Sequence, residues 1–204
     1  METMASTTIS PKNVSELRTR TGAGMMDCKR ALEESGGDMD KASEILRKKG
    51  IAKAEKRTGK VASQGIVVSY LHHNGQVGSL VELNCETDFV ARTEDFQQLA
   101  RDIALHVASA DPLAVNPEDV PSELLERERR IAEEQVAQEG KPENIRGKIV
   151  DGKVKKFVAE RTLVEQPFVR DDKKTVGQLI KEASGKLGEA ISVRRFARFK
   201  IGEV

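Results

Sequence analysis

Tryptophan is absent from this 204-residue sequence, tyrosine occurs once, and aromatic residues make up only 3% of it. Surfaces that hold single-stranded nucleic acid stack bases on aromatic rings, and such a surface is poorly supplied here. Cysteine is almost as scarce: Cys28 and Cys85 stand far apart, which offers no disulfide framework and points to a reducing, cytoplasmic setting. The formal net charge is +1, so no whole-chain field draws it to nucleic acid or to an anionic membrane. No apolar run approaches the ~20 residues that cross a bilayer. The start, Met1 to Ser10, has neither the basic opening nor the apolar stretch of a signal peptide, and residues 1–9 read as a flexible tail. What is present is a chain with 38% hydrophobic and 33% charged residues. That is enough to bury a core and excludes wholesale disorder.

Signatures of covalent chemistry are missing as well. There is no phosphate-cradling G-x-x-x-x-G-K-[ST], no G-x-G-x-x-G after a strand and no H-E-x-x-H. The nucleophile elbow G-x-S-x-G is also absent. His72 and His73 are neighbours in the expected hairpin loop, and adjacent residues on a strand point to opposite faces, so a shared metal is not expected of them. The expectation is a protein that is not an enzyme, with no cofactor, no metal and no nucleotide pocket of its own.

Apolar spacing divides the chain. Residues 10–50 read as three short helices. Ser10 can cap the first, with Pro11 at its first position and Ile9 and Val14 placed as a hydrophobic staple. Val14 and Leu17 supply its buried stripe, and Gly22 and Gly24 break it. Cys28, Ala31 and Leu32 mark the second helix, which stops at Gly36-Gly37. Asp38 caps a third, built on Ala42, Ile45 and Leu46, and Gly50 is expected to end it.

A basic connector follows over residues 51–64, within a run from Arg47 to Lys60 in which Glu55 is the only acidic residue. It could meet phosphate or ribosomal RNA, although charge runs are ordinarily solvated faces or linkers. Residues 65–204 read as an α+β core. Two β-rich runs, Ile66 to Leu71 and Val77 to Leu83, flank an Asn74-Gly75 turn signal. Thr93 caps an amphipathic helix whose stripe is Phe96, Leu99, Ala100, Ile103, Ala104 and Val107. An antiparallel helical hairpin is expected over residues 121–163, as a partner-binding arm or as ordinary packing. A last helix runs from Thr175 to Leu187. The closing strand, Ile191 to Phe199, joins the two-stranded hairpin, which is marginal alone. The fold class is therefore α+β: three helices, then a small antiparallel three-stranded sheet covered by helices, with a helical hairpin.

One connection stands out locally. In Asn84-Cys85-Glu86-Thr87-Asp88-Phe89-Val90-Ala91, a large apolar side chain sits beside a carboxylate between a strand and a capped helix. Composition alone places Phe89 in the core, because Phe is usually buried.

Several stretches together resemble a known family. Thr21-Gly22-Ala23-Gly24-Met25-Met26-Asp27-Cys28-Lys29-Arg30-Ala31-Leu32 is similar to the N-terminal signature of the elongation factor Ts family, and Cys85-Glu86-Thr87-Asp88-Phe89-Val90-Ala91-Arg92 to its second signature. Gly140-Lys141-Pro142 with Lys156-Phe157, then Glu165-Gln166-Pro167-Phe168-Val169, and Arg194-Arg195-Phe196-Ala197-Arg198-Phe199 continue the likeness in order.

The resemblance implies an exchange factor that promotes GDP release from elongation factor Tu. It implies a ubiquitin-associated-like N-terminal module over residues 10–50. It also implies that Thr87, Asp88, Phe89 and Val90 push into the partner and disturb its Mg²⁺/phosphate site, and that Met25 and Met26 belong to a second contact with the same partner. Exposed methionine suits an adaptable apolar surface. Longer members carry two similar core subdomains, whereas this chain has material for one sheet. It therefore resembles the short class, in which two chains associate as a homodimer, here without a crosslink. Neither nucleic acid nor a membrane is required in that reading. The rival reading, from the basic connector, is a ribosome- or RNA-associated binding module.

Overall fold

The first helix forms where a capping residue and apolar spacing coincide. In the computed structural model, which describes residues 9–57, 59–140 and 142–203, α1 spans Pro11–Thr21. The Ser10 hydroxyl accepts the Asn13 N–H at 3.2 Å. Gly22 ends the helix at φ +69°, and its N–H returns to the Arg18 carbonyl at 2.7 Å. Helix α2 spans Met25–Glu34 and α3 spans Met39–Glu55, the latter capped by the Asp38 carboxylate. Their stripes meet in one cluster of Val14, Leu17, Cys28, Ala31, Leu32, Ala42 and Leu46, with Ile9 packed against it. The tail expected over residues 1–9 lies, apart from Ile9, outside the described residues, as do Thr58 in the basic stretch and Lys141.

Helix α3 does not end at Gly50; it continues to Glu55. The first five residues of the expected connector are therefore helical. The glycine has another reason to be there. Its Cα lies against Gly185, on a helix far along the chain, and a Cβ built on Gly185 would fall 2.5 Å from the Gly50 carbonyl oxygen. Glycine at the crossing lets two helix backbones touch, a need that local sequence does not display.

Strands β1 (Gln64–Leu71) and β2 (Val77–Cys85) pair antiparallel around the Asn74-Gly75 turn, with Gly75 at φ +70°. A single helical turn, α4 (Asp88–Ala91), follows, and then α5 (Glu94–Ala110), capped by Thr93. All six residues of the expected α5 stripe are buried, against Val81, Leu83 and Cys85 of β2. Helices α6 (Ser122–Gln138) and α7 (Glu143–Arg161) form the hairpin, held by a small cluster of Ala132, Val136 and Val150.

A second, two-stranded sheet has no counterpart in the sequence pattern: β3 (Pro167–Phe168) pairs with β4 (Asp171–Thr175). Helix α8 (Val176–Leu187) leads to β5 (Ser192–Lys200), which pairs with β2 to give the order β1-β2-β5. Helices cover one face of this sheet. The opposite face carries Ser69, Leu80 and Ala197 in one row and Leu71, Gly78 and Phe199 in the next. Leu71, Leu80 and Phe199 are exposed there, with Val67 beside them.

Candidate partner-binding surface

The turn after β2 is built so that its ends are fixed and its middle is bare. Thr87 caps α4, its hydroxyl accepting the Val90 N–H at 3.4 Å. The same residue donates twice to Glu189, just past the end of α8: its N–H to Oε2 at 3.0 Å and its hydroxyl to Oε1 at 2.6 Å. Glu86 answers in the opposite direction, accepting the Ala190 N–H at 2.7 Å and an Arg57 N–H at 2.8 Å. Those contacts hold the Glu86 carboxyl below the usual carboxylate range, the Ala190 hydrogen bond first and Arg57 next. The Cys85 thiol donates to the Thr87 carbonyl at 3.1 Å, and burial pushes its pKa up. At the other end Val90 packs on the core and Ala91 is buried within it.

Between these anchors Phe89 is 79% exposed. It is not part of the core that composition assigned it to. Covering a Phe side chain yields about 1.5–3 kcal/mol, and this one forgoes that gain in the isolated chain. Asp88 is half-buried and pairs with Arg92 at 2.8 Å, one turn along. Of the four residues expected to act together, Thr87 and Val90 hold the turn in place, while Phe89 projects and Asp88 lies beside it.

A second apolar projection opens α2. Met25 and Met26 are 46% and 63% exposed, and Cys28 behind them is fully buried. Cys28 anchors the turn through its thiol, which donates to the Ala23 carbonyl at 3.7 Å. Asp27 accepts from Lys53 of α3 at 3.1 Å and from Arg30 at 2.5 Å. Lys53 and then Arg30 keep its carboxyl below the ordinary value.

Helix α8 links the two projections. It packs along α3 through Gly50 and Gly185, with Arg47–Glu182 and Lys181–Glu55 pairs flanking the crossing. A groove of about 1400 Å³ runs between these elements, lined by Arg47, Lys53, Leu179 and Glu182 among others. Six of the seven basic residues from Arg47 to Lys60 pair with carboxylates: Arg47 with Glu182, Lys48 with Glu44, Lys49 with Glu34, Lys53 with Asp27, and Arg57 and Lys60 with Glu86.

His72 and His73 lie in the hairpin loop, as expected, so strand alternation does not apply to them. They sit past the last residue of β1, in the turn, with ring centroids 4.2 Å apart. Among the described residues no group of three His, Cys, Asp or Glu side chains is placed to hold a metal ion, and no helix is long and apolar enough to cross a membrane. No sequence pattern singles out Glu189 or gives Glu86 this role; only the fold brings each against the other's neighbour.

The architecture is that of an α+β protein that carries exposed apolar side chains on a three-helix module and on a clamped turn of the sheet domain. The chain belongs to the elongation factor Ts family: a match to the family described as Elongation factor TS covers residues 27–203. It is 53% identical over 196 residues to Elongation factor Ts of Desulfosudis oleivorans, covering 96% of this chain and 99% of that one. It is 55% identical over 195 residues to Elongation factor Ts of Thermosipho melanesiensis, covering 96% of this chain and 100% of that one. Elongation factor Ts of Syntrophomonas wolfei is 54% identical over 195 residues, with 96% and 91% covered. Met25 and Met26 lie just outside the family match.

Proposed function

We propose that this protein accelerates GDP release from elongation factor Tu during translation elongation, in the cytoplasm, by pressing the Asp88-Phe89 turn against the Mg²⁺/phosphate site of the GTPase. Membership of the family supports the class of activity. The single observation that carries the mechanism is the bare Phe89 on a turn clamped at both ends.

The mechanism is linkage. A factor that binds the nucleotide-free GTPase more tightly than the nucleotide-bound form weakens nucleotide by the same factor. Shifting that balance 10⁴-fold takes about 5.5 kcal/mol of differential binding. Covering Phe89 contributes about 1.5–3 kcal/mol of the total, so the wedge alone is not enough. The Met25-Met26 projection on residues 10–50 supplies a second anchor of similar scale, which holds the factor on the GTPase in either state and so adds affinity rather than differential binding. Mg²⁺ bridges the nucleotide's phosphate oxygens to the GTPase, so displacing it releases a large share of the ground-state hold on GDP. The ion and the nucleotide belong to the partner; Asp88 and Phe89 act on them from outside. Six of the basic residues near the connector are already paired with carboxylates, which supports an intramolecular role for that stretch over an RNA-binding one.

A second copy of this chain completes the assembly in this reading. The open face of the sheet, with Val67, Leu71, Leu80 and Phe199 exposed, is the surface it covers, and no disulfide is involved. The mechanism is tested with fluorescent GDP bound to elongation factor Tu. At millimolar Mg²⁺ the protein is expected to speed release strongly. After a chelator has removed the ion, the same addition has little left to accelerate. Equal acceleration with and without Mg²⁺ counts against ion displacement.

A further inference from the structure

The turn that carries Phe89 has no apolar grip on Phe89 itself, which is 79% exposed. Its direction depends on what holds the residues on either side. On the C-terminal side Val90 and Ala91 pack into the core. On the N-terminal side the hold is polar and comes from a residue 102 positions away: Glu189 accepts both the N–H and the hydroxyl of Thr87.

Glu189 occupies a definite place in the fold. Helix α8 ends with Gly188 at φ +76°, its N–H bonded to the Ser184 carbonyl, so the chain turns sharply and delivers the next side chain toward Thr87. The backbone there is fixed twice more. Ser184 donates its hydroxyl to the Glu189 carbonyl oxygen at 2.5 Å, and the Ala190 N–H donates to Glu86 at 2.7 Å. Segments 86–87 and 189–190 are thus clasped reciprocally, each carboxylate accepting the other segment's backbone N–H. The same α8 is pressed to α3 at the Gly50–Gly185 crossing.

We infer that Glu189 is a positioning residue: it holds the Thr87–Ala91 turn so that Phe89 meets the GTPase in a fixed direction, and it ties that direction to the helix on which the three-helix module sits. The inference rests on the proposed role of Phe89 and adds a residue that acts through its two bonds to Thr87. A hydrogen bond to a charged group is worth about 1.5–3 kcal/mol. Losing the clamp therefore slows exchange on the order of 10- to 100-fold, because the partner must then order the turn at the moment of binding.

Two measurements on the full-length chain test this. In the free protein, the amides of Val90, Ala91 and Arg92 close onto Thr87 and Asp88. Glu189→Ala is expected to speed their hydrogen exchange about tenfold or more while amides in α5 keep their protection. Glu189→Gln, whose amide can still accept one bond and donate another to the Thr87 hydroxyl, restores part of that protection and part of the exchange activity.

Release of fluorescent GDP from elongation factor Tu is then followed with Glu189→Ala, Phe89→Ala and the double variant. If Glu189 works through Phe89, Glu189→Ala slows release in the wild-type background and adds almost nothing to Phe89→Ala. An equal loss in both backgrounds, or unchanged amide exchange at residues 90–92, overturns the inference. Normal release with Phe89→Ala alone overturns the wedge role beneath it, a failure visible separately from that of the clamp.

Discussion

Replacing Phe89 by alanine separates two fates that a phenylalanine can have in this fold. Phe96, seven residues on, is fully buried in the sheet–helix core. Phe96→Ala should cost about 3–5 kcal/mol of stability, which for about 200 residues lowers the melting temperature by roughly 10 °C. Phe89 is 79% exposed. Its removal strips little buried surface, and Phe89→Ala should move stability by no more than about 0.5 kcal/mol, the scale of ordinary surface changes. On the proposed wedge role its effect belongs to the complex instead. A central aromatic anchor lost from an interface costs about 2 kcal/mol or more, and 2 kcal/mol is a slowing of about 30-fold at equal concentration. The assay is a thermal melt beside stopped-flow release of fluorescent GDP from elongation factor Tu, with Phe96→Ala as the control. A melting temperature that falls as far as that of Phe96→Ala, or a normal rate of release, would refute the reasoning.

Three further outcomes are expected. Changing Met25 and Met26 together to Ala should weaken the complex by about 1–3 kcal/mol with far-UV helicity retained, because both side chains are exposed; unchanged affinity in titration calorimetry argues against the second contact. A charge placed on the open sheet face, Leu80→Glu, should halve the mass seen by light scattering and leave the melt cooperative; a wild-type chain that is monomeric at tens of micromolar contradicts the dimer. Burial holds the His106 imidazole below its ordinary value of 6.5, while its nitrogens engage Gln166 at 2.9 Å and the Val169 N–H at 3.3 Å. The folded state then favours the neutral ring, so the stability this provides is complete above pH 6.5 and is lost as pH falls toward the folded pKa. Urea midpoints should therefore drop between pH 7 and pH 5, above the range of the carboxylates, and His106→Asn should be less stable at pH 7 with a flatter slope.

What could be read from the sequence was whatever is decided locally. The caps at Ser10, Asp38 and Thr93 lie within three residues of the groups they bond. The α5 stripe is buried throughout because helical periodicity and a neighbouring apolar strand agree. Phe89 escaped composition because exposure is a property of the fold: its neighbours Val90 and Ala91 reach the core and it does not. Gly50 looks like a helix stop in the sequence, but its reason for being glycine is Gly185, on another helix. Strand β4 was missed because Asp171-Asp172-Lys173-Lys174-Thr175 has no apolar alternation; it pairs through the backbone with Pro167 and Phe168. The Glu189 clamp was invisible for the same reason, since no local pattern announces a hydrogen bond between residues 102 apart.

The central claim is exchange itself, and the rate of nucleotide loss measures it most directly. Elongation factor Tu loaded with fluorescent GDP is mixed with excess unlabelled GDP and increasing amounts of this protein at millimolar Mg²⁺. The account predicts a release rate that climbs with the amount of protein added and then saturates, by orders of magnitude in all. A release rate that stays at its unassisted value at every concentration would contradict it.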